Sequence, residues 1–338
     1  MRVINLVIQK VKLENFTVFK DLEINFCKGI NVFIGENSTG KTHLLKVLYG
    51  LASTAKAYSG DNVYQTNDKK LALGHIFIAN YNYNNNIYRT YNSKKPENAT
   101  LFLSGGISHS LYDYVKIDKE ITTQFVFIPA KDMLSHSKGL LAMSKKYSKD
   151  MPFDKTLLDI IEKAQAWKLD ETPSIAKNII PRIESILDGK VIVENDIFYI
   201  LKRSGLKLEF SMEAEGLRKF AMLWQLLMNE SITKDTVLIW DEPEANLNPE
   251  LIPVLVDILL QLQKSGVQIF IATHSYNLAK YFETRNTTVD NLRFYSLYRT
   301  EDGVKCDSEQ YFGNLKNNLI INADENLLDE VFYKNIGE

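Results

Sequence analysis

The chain has 338 residues, 40 basic and 42 acidic, for a formal net charge of −2. That length is enough for one large domain or two ordinary ones, and the near-balance of charge argues against a general polyanion binder while leaving room for a local basic face. The two cysteines, Cys27 and Cys306, stand far apart with no metal-ligand spacing and read as structural thiols.

The first ten residues alternate like a strand, with no signal-peptide apolar run or small-residue cleavage site, and no stretch approaches eighteen apolar residues. The expectation is a cytoplasmic protein with no membrane span. Residues 3 to 34 read as two or three strands, with Phe16 and Phe19 in a turn between Val11-Lys12-Leu13 and Leu22-Glu23-Ile24-Asn25-Phe26. The last strand, Gly29 to Ile34, is short and apolar. It runs into Gly35 to Thr42, GENSTGKT, which fits GxxxxGK[ST]. Leu44, Leu45, Leu48 and Leu51 then recur at helical spacing, so a helix is expected over about 43 to 57.

Strand, glycine loop and helix in that order turn backbone N–H groups and a helix N-terminus toward a polyphosphate. Gly35, Glu36, Asn37, Ser38, Thr39, Gly40, Lys41, Thr42 and His43 are therefore the expected nucleotide-binding residues. Lys41 reaches the β and γ phosphates, and the Thr42 hydroxyl is a ligand for Mg²⁺.

Between Leu71 and Tyr91, Ile78, Tyr81, Tyr83, Ile87, Tyr88 and Tyr91 alternate with Asn around Asn84-Asn85-Asn86. This pattern predicts an antiparallel subdomain with one wet face. Gln124 to Ile128 is a buried strand closed by Pro129. The lysines 131, 138, 145, 146 and 149 beyond it read as a solvated face. Residues 153 to 188 are mostly helical, with breaks expected at Thr172-Pro173 and Ile180-Pro181. A hairpin pairs Val191–Glu194 with Phe198–Lys202, and Leu206 to Phe210 makes a third strand.

Phe220, Leu223, Trp224 and Leu227 mark an amphipathic helix after Gly216. Val237-Leu238-Ile239-Trp240 is a buried strand ending at Asp241-Glu242. A helix from Pro249 to Lys264 has Asn248 as its cap, and Val267 to Ala272 is a further buried strand that delivers Thr273-His274-Ser275. Leu292 to Glu338 reads as a terminal hairpin plus a short helix.

A phosphate loop alone binds; hydrolysis needs a metal ligand and a base. The strand ending at Asp241-Glu242 supplies both, with Asp241 beside Mg²⁺ and Glu242 as general base. Glu244 either touches the metal or faces solvent. His274, at a strand end, is positioned to sense the γ-phosphate and orient the attacking water. Lys41, Glu242 and His274 are the expected catalytic residues.

This order resembles the ABC-type ATPase superfamily, in particular the SMC, RecF and OLD-like heads. The resemblance implies ATP and Mg²⁺ as ligands, and an α/β head with a mostly parallel central sheet. It also implies an N-terminal lobe with the phosphate loop and an antiparallel β subdomain at about 1–134, a helical insertion at 135–188, and a lobe at 189–338 that carries the signature, the Asp-Glu strand, the D-loop and the histidine. It implies a homodimer in which a signature segment before the Asp-Glu strand completes the partner's site. Ser211 to Lys219 is the matching segment here, and Ala214 stands where a serine is usual. Glu215, Gly216 and Lys219 are the residues expected to contact nucleotide, with Arg218 as a further charge. Ser38 also departs from a common family glycine, and Lys131 or Asp132 occupies the sensor position where a glutamine is usual. Glu244 to Pro249 looks like the D-loop. Leu103-Ser104-Gly105-Gly106 spells a transporter signature, but it lies upstream of the Gln124 strand and is expected to be a turn.

The further resemblance to stand-alone OLD-like ATPases of antiphage and mobile-element systems implies a regulatory ATPase with a separate effector, a nuclease or toxin. No nuclease activity is expected in this chain. The alternative is a RecF- or SMC-like ATPase acting on DNA, and a transporter subunit stands third. Pro173 and Pro181 interrupt the one long helical stretch, which argues against coiled-coil arms.

Overall fold

The computed structural model describes residues 3–60, 76–77, 97–111, 117–147, 151–287 and 291–336. The strands expected between Leu71 and Tyr91 lie outside the described residues except at Ile76 and Phe77, which are helical, and Lys149 lies outside them as well. The chain opens with β1 (Val3–Ile4), β2 (Ile8–Phe16), β3 (Phe19–Asn25), β4 (Ile30–Gly35) and α1 (Lys41–Ala57). It continues with β5 (Asn98–Leu103), β6 (Ile107–Ser110), β7 (Glu120–Ile121) and β8 (Gln124–Ile128). Next come α2 (Leu140–Lys146), α3 (Lys155–Ala164), α4 (Ile180–Leu187), β9 (Gly189–Glu194), β10 (Ile197–Lys202), β11 (Lys207–Glu209) and α5 (Glu215–Met228). The last elements are β12 (Thr236–Asp241), α6 (Ile252–Lys264), β13 (Gln268–Ala272), α7 (Tyr276–Arg285), β14 (Leu292–Thr300), β15 (Gly303–Glu309) and α8 (Leu319–Ile336).

The central sheet has the order β15-β14-β4-β13-β12-β8. Every pair in it is parallel except β14 with β15. Parallel strands covered on both faces need apolar side chains on both, which is why these segments read as unbroken apolar runs. Val32 and Ile34, Leu238 and Trp240, and Ile269 and Ile271 point into one core with α5 and α6. Phe33, Val237, Ile239 and Phe270 point into the other, against α1 and the antiparallel strands.

Those strands form a four-stranded sheet, β3-β2-β5-β6, antiparallel throughout. One buried amide joins it to the central sheet. Gln268, at the start of β13, accepts from the Ile8 N–H and donates to the Ile8 carbonyl, both at 2.8 Å. Strands β9, β10 and β11 make a separate antiparallel sheet, in the expected hairpin and third-strand arrangement.

Three expectations are corrected. Phe16 and Phe19 are not turn residues: they are the closing pair of β2 and β3, fully buried, and only Thr17 and Val18 turn between them. Pro181 opens α4 instead of breaking a helix, because the first turn has no N–H to lose there. The segment from Leu292 is more than a terminal hairpin and short helix. β14 inserts beside β4 as a parallel member of the central sheet, and α8 runs for 18 residues. No helix among the described residues is long and apolar enough to cross a membrane.

Candidate active site

Because β4, β13 and β12 are neighbours and parallel, their carboxyl ends emerge on one edge. The register aligns Phe33 with Ala272 and Ala272 with Asp241. That edge therefore carries the glycine loop after β4, Asp241 and Glu242 at the end of β12, and Thr273 and His274 after β13. Sequence-distant groups meet there through strand order alone.

The glycine loop is shaped by backbone torsions that favour glycine. Gly40 has φ 90°, and a Cβ on it would lie 2.6 Å from Val18 Cγ2 and 2.7 Å from Phe19 Cζ. Ser38 adopts φ 62° without being glycine, and Arg299 of β14 donates to its carbonyl at 3.0 Å. Thr39 is buried, its hydroxyl donating to the Glu36 carbonyl at 2.9 Å. The first hydrogen bond of α1 runs from the Leu44 N–H to the Gly40 carbonyl at 2.8 Å. The N–H groups of Lys41, Thr42 and His43 are left for a ligand, at the positive end of the helix dipole.

Lys41 is 7% exposed and donates to the Gly35 carbonyl at 2.8 Å and the Glu36 carbonyl at 2.9 Å. Burial pulls its ammonium down to about 8, against the opposing pull of Glu242, Asp241 and Glu36. A buried cation satisfied only by neutral carbonyls is a group that gains from an arriving polyphosphate. The side chain of His43 turns elsewhere, edge-on to Phe77 at 5.5 Å, so its contribution is its backbone N–H.

The Thr42 hydroxyl donates to Asp241 Oδ2 at 2.9 Å. A hydroxyl and a carboxylate this close are the donor set that a hard divalent cation takes from a phosphate-loop protein. Asp241 is 5% exposed, and burial raises its carboxyl above the usual range, with the Thr42 bond opposing. A bound cation would hold that carboxylate ionised. The residues fit Mg²⁺.

Glu242 is the next residue, at φ 48°, an uncommon torsion for a residue with a Cβ. Three bonds hold it there, one of them from the Ala245 N–H to its carbonyl at 3.2 Å. Its N–H donates to the Ala272 carbonyl at 2.9 Å, and its own carbonyl accepts from Lys219 Nζ at 2.7 Å. Its carboxylate stands 3.8 Å from His274 Nε2, and both side chains are 38% exposed. Burial and then Lys41 push the His274 imidazole below its ordinary value, against Glu242, so it is neutral at pH 7. A cleft of about 330 Å³ joins Val18, Asn37, Ser38, Gly40, Lys41, Thr42, His43, Glu242 and His274. A second, of about 660 Å³, lies between Gly35, Glu36, Asn37, His274 and Arg299 and the start of α8.

The signature segment packs against its own chain. Lys219 is buried and donates to the Glu242 carbonyl. Arg218 is paired with Asp132 at 2.7 Å, which ties the start of α5 to the segment after β8. Gly216 is a contact point, since a Cβ there would sit 2.7 Å from the Asn246 carbonyl oxygen. Glu215, Gly216 and Lys219 do not line the cleft over the loop. Glu244 is partly buried. Its carboxylate accepts from the Thr273 hydroxyl, and its second oxygen is buried with no partner among the described residues. Ser104-Gly105-Gly106 forms a single turn, as expected.

Sequence reading missed Val18, Arg299 and the inward role of Lys219. Lys219 did carry a signal: it lies beside Phe220 and four residues before Leu223, within the apolar stripe of α5. Val18 and Arg299 carry none, because each meets the loop only through tertiary packing, Val18 from the β2–β3 turn and Arg299 from β14 beside β4.

In comparison with known proteins, a family model described as an AAA ATPase domain matches residues 7–191. A second AAA-domain model, described in connection with the AbiEii toxin and the Type IV TA system, matches residues 143–280. The DNA replication and repair protein RecF of Streptococcus suis (strain 05ZYH33) is 35% identical over 68 residues, which is 20% of this chain and 19% of that protein. The chain thus spans about a fifth of that relative. The DNA double-strand break repair Rad50 ATPase of Thermoplasma acidophilum is 27% identical over 195 residues, 53% of this chain and 20% of that protein. The Smc head domain of Pyrococcus furiosus, solved with an extended coiled coil and bound to the C-terminal domain of ScpA, superposes with a TM-score of 0.52 at 10% identity. That superposition covers 96% of this chain and 99% of the head, a likeness of fold.

Proposed function

The chain belongs to the AAA ATPase domain family, within the ABC-type ATPase superfamily of SMC- and RecF-like heads, and from that membership we propose a regulatory ATPase that controls a partner effector. The observation carrying the hydrolytic half of this reading is the convergence of Lys41, Thr42, Asp241 and Glu242 on one sheet edge. ATP binds over the loop, its phosphates taken by the N–H groups of Lys41, Thr42 and His43 and by the Lys41 ammonium. Thr42 and Asp241 hold Mg²⁺, which when bound neutralises charge on the β and γ phosphates. Glu242 takes the proton of the attacking water, and neutral His274 orients that water.

Two copies close head to tail on ATP, and hydrolysis reopens them. With Lys219 and Arg218 engaged inside their own chain, the trans contact is made by the N–H groups of Glu215 and Gly216 at the start of α5. The protein acts in the cytoplasm in antiphage defence, and the damage is done by a separate nuclease or toxin. The AbiEii and Type IV TA description of the second family model supports that reading, as does the separate protein bound by the Smc head.

A second reading, direct action on DNA, is favoured by the RecF and Rad50 matches. One experiment separates the two. The Glu242→Gln chain is purified from its native cells with Mg²⁺ and ATP, and its companions are identified by mass spectrometry before and after nuclease treatment. A stoichiometric, nuclease-resistant protein supports the regulatory reading; bound DNA with no protein replaces it with the second.

A further inference from the structure

At the far end of α1 from the glycine loop, Lys56 and Lys163 line a cleft of about 580 Å³ between α1 and α3. Lys41 and Lys56 lie about 22 Å apart along the axis of α1 at 1.5 Å per residue, so one small ligand cannot fill both sites. Lys56 is steadied by donating to the Thr123 carbonyl at 2.8 Å and to Gln124 Oε1 at 3.2 Å. That bond leaves the Gln124 amide NH₂ as a donor on the same cleft wall.

Lys163 forms no ion pair among the described residues. Of the two carboxylates that act on it, Asp159 is taken by Lys155 and by the Tyr49 hydroxyl, the latter at 2.8 Å, and Glu162 is exposed. Burial lowers both ammonium groups, at Lys163 against Asp159 and Glu162, and at Lys56 with the charge of Lys163 lowering it further against Glu120. Two half-buried cations on one cleft, one with only neutral acceptors and the other with no ion pair among the described residues, would gain from an anion between them.

We propose that this cleft is a second anion site, which takes a small phosphate-bearing molecule. Paired lysine ammoniums act as point charges, a mode of contact that suits the several oxygens of a phosphate. The volume is that of a small-molecule pocket. The exposed carboxylates of Glu162 and Glu230 at the rim repel an extended nucleic-acid backbone and leave room for a compact ligand. The site is independent of the function proposed above.

The test uses pyrophosphate as probe, the full-length chain, and Lys41→Ala as background to suppress binding at the glycine loop. Calorimetry should show one site whose affinity falls at least about tenfold with Lys163→Gln and with Lys56→Gln, the loss of a charge-assisted hydrogen bond, and persists with Lys163→Arg. Independently of any change at Lys163, pyrophosphate should protect its amine from acetic anhydride, read by peptide mass spectrometry. An isotherm unchanged by Lys163→Gln, no binding at all, or Lys163 labelling indifferent to pyrophosphate overturns the assignment. Because ATP is not used, failure here is separate from failure of the ATPase reading.

Discussion

The Lys219 ammonium donates to the backbone carbonyl of Glu242 at 2.7 Å, from inside the apolar face of α5. It thereby braces a residue held at φ 48°. Replacement by the isosteric Lys219→Met removes the brace and little volume. A charged hydrogen bond of this kind is worth about 1.5–3 kcal/mol, so kcat for ATP should fall roughly 10- to 100-fold. KM should move little. A kcat within twofold of wild type would show that the torsion holds without the lysine.

Glu242→Gln keeps the shape of the base and removes its basicity. Loss of general base catalysis costs about 10²- to 10⁴-fold in the chemical step. Single-turnover hydrolysis should slow by that factor while binding of a fluorescent ATP analogue persists. Wild-type turnover in this variant would reassign the base.

Asp241→Asn should act on the metal before it acts on the nucleotide. The magnesium concentration for half-maximal activity should rise at least about tenfold, as for loss of a ligand or its close support. Chelation of the metal should abolish turnover in both proteins. Equal magnesium curves would remove Asp241 from the metal site.

The pH response of Lys41 is set by its lowered value of about 8, due chiefly to burial. Between about 8 and the ordinary value of 10.5 the unfolded chain binds the proton and the folded chain does not. Stability from this group therefore rises with pH through that window, and the penalty is full below pH 8. ATP restores the charged form. Its binding above pH 8 should draw in up to about one proton and weaken by up to about tenfold per pH unit. Calorimetry in buffers of different ionisation enthalpy reads the proton directly, and the uptake should vanish in Lys41→Met.

Gly216→Ala should destabilise through steric overlap. The new Cβ would meet the Asn246 carbonyl oxygen at 2.7 Å, and backbone gives less than a side chain. Overpacking of this type costs about 1–3 kcal/mol, readable as a shifted urea midpoint. An unchanged midpoint would mean that the Asn246 loop yields freely.

Most of the site edge was legible because its signals are local. The GENSTGKT spacing, the apolar run into Asp241-Glu242 and the run into His274 each mark a strand and the functional group delivered at its carboxyl end. The parallel sheet was legible for the same reason, since strands buried on both faces cannot alternate. The hairpin of β14 with β15 was legible too, but the parallel place of β14 beside β4 was not, because that partner is far back in the chain. The inward turn of Lys219 and the Arg218–Asp132 pair belong to packing between distant segments, which no single window of residues encodes.

The strand order also governs how the protein can be made. β4 is complete by Gly35, but its two sheet neighbours, β13 and β14, come from the last quarter of the chain. At about 5–20 residues per second of synthesis, both edges of the strand that carries the glycine loop wait roughly 10 to 50 s for their partners. Unpaired, apolar strand edges are templates for misassembly during that interval. Nascent chains of this protein should therefore depend on chaperone cover until β14 has emerged, and acquisition of nucleotide binding should coincide with that event, far later than synthesis of the loop itself.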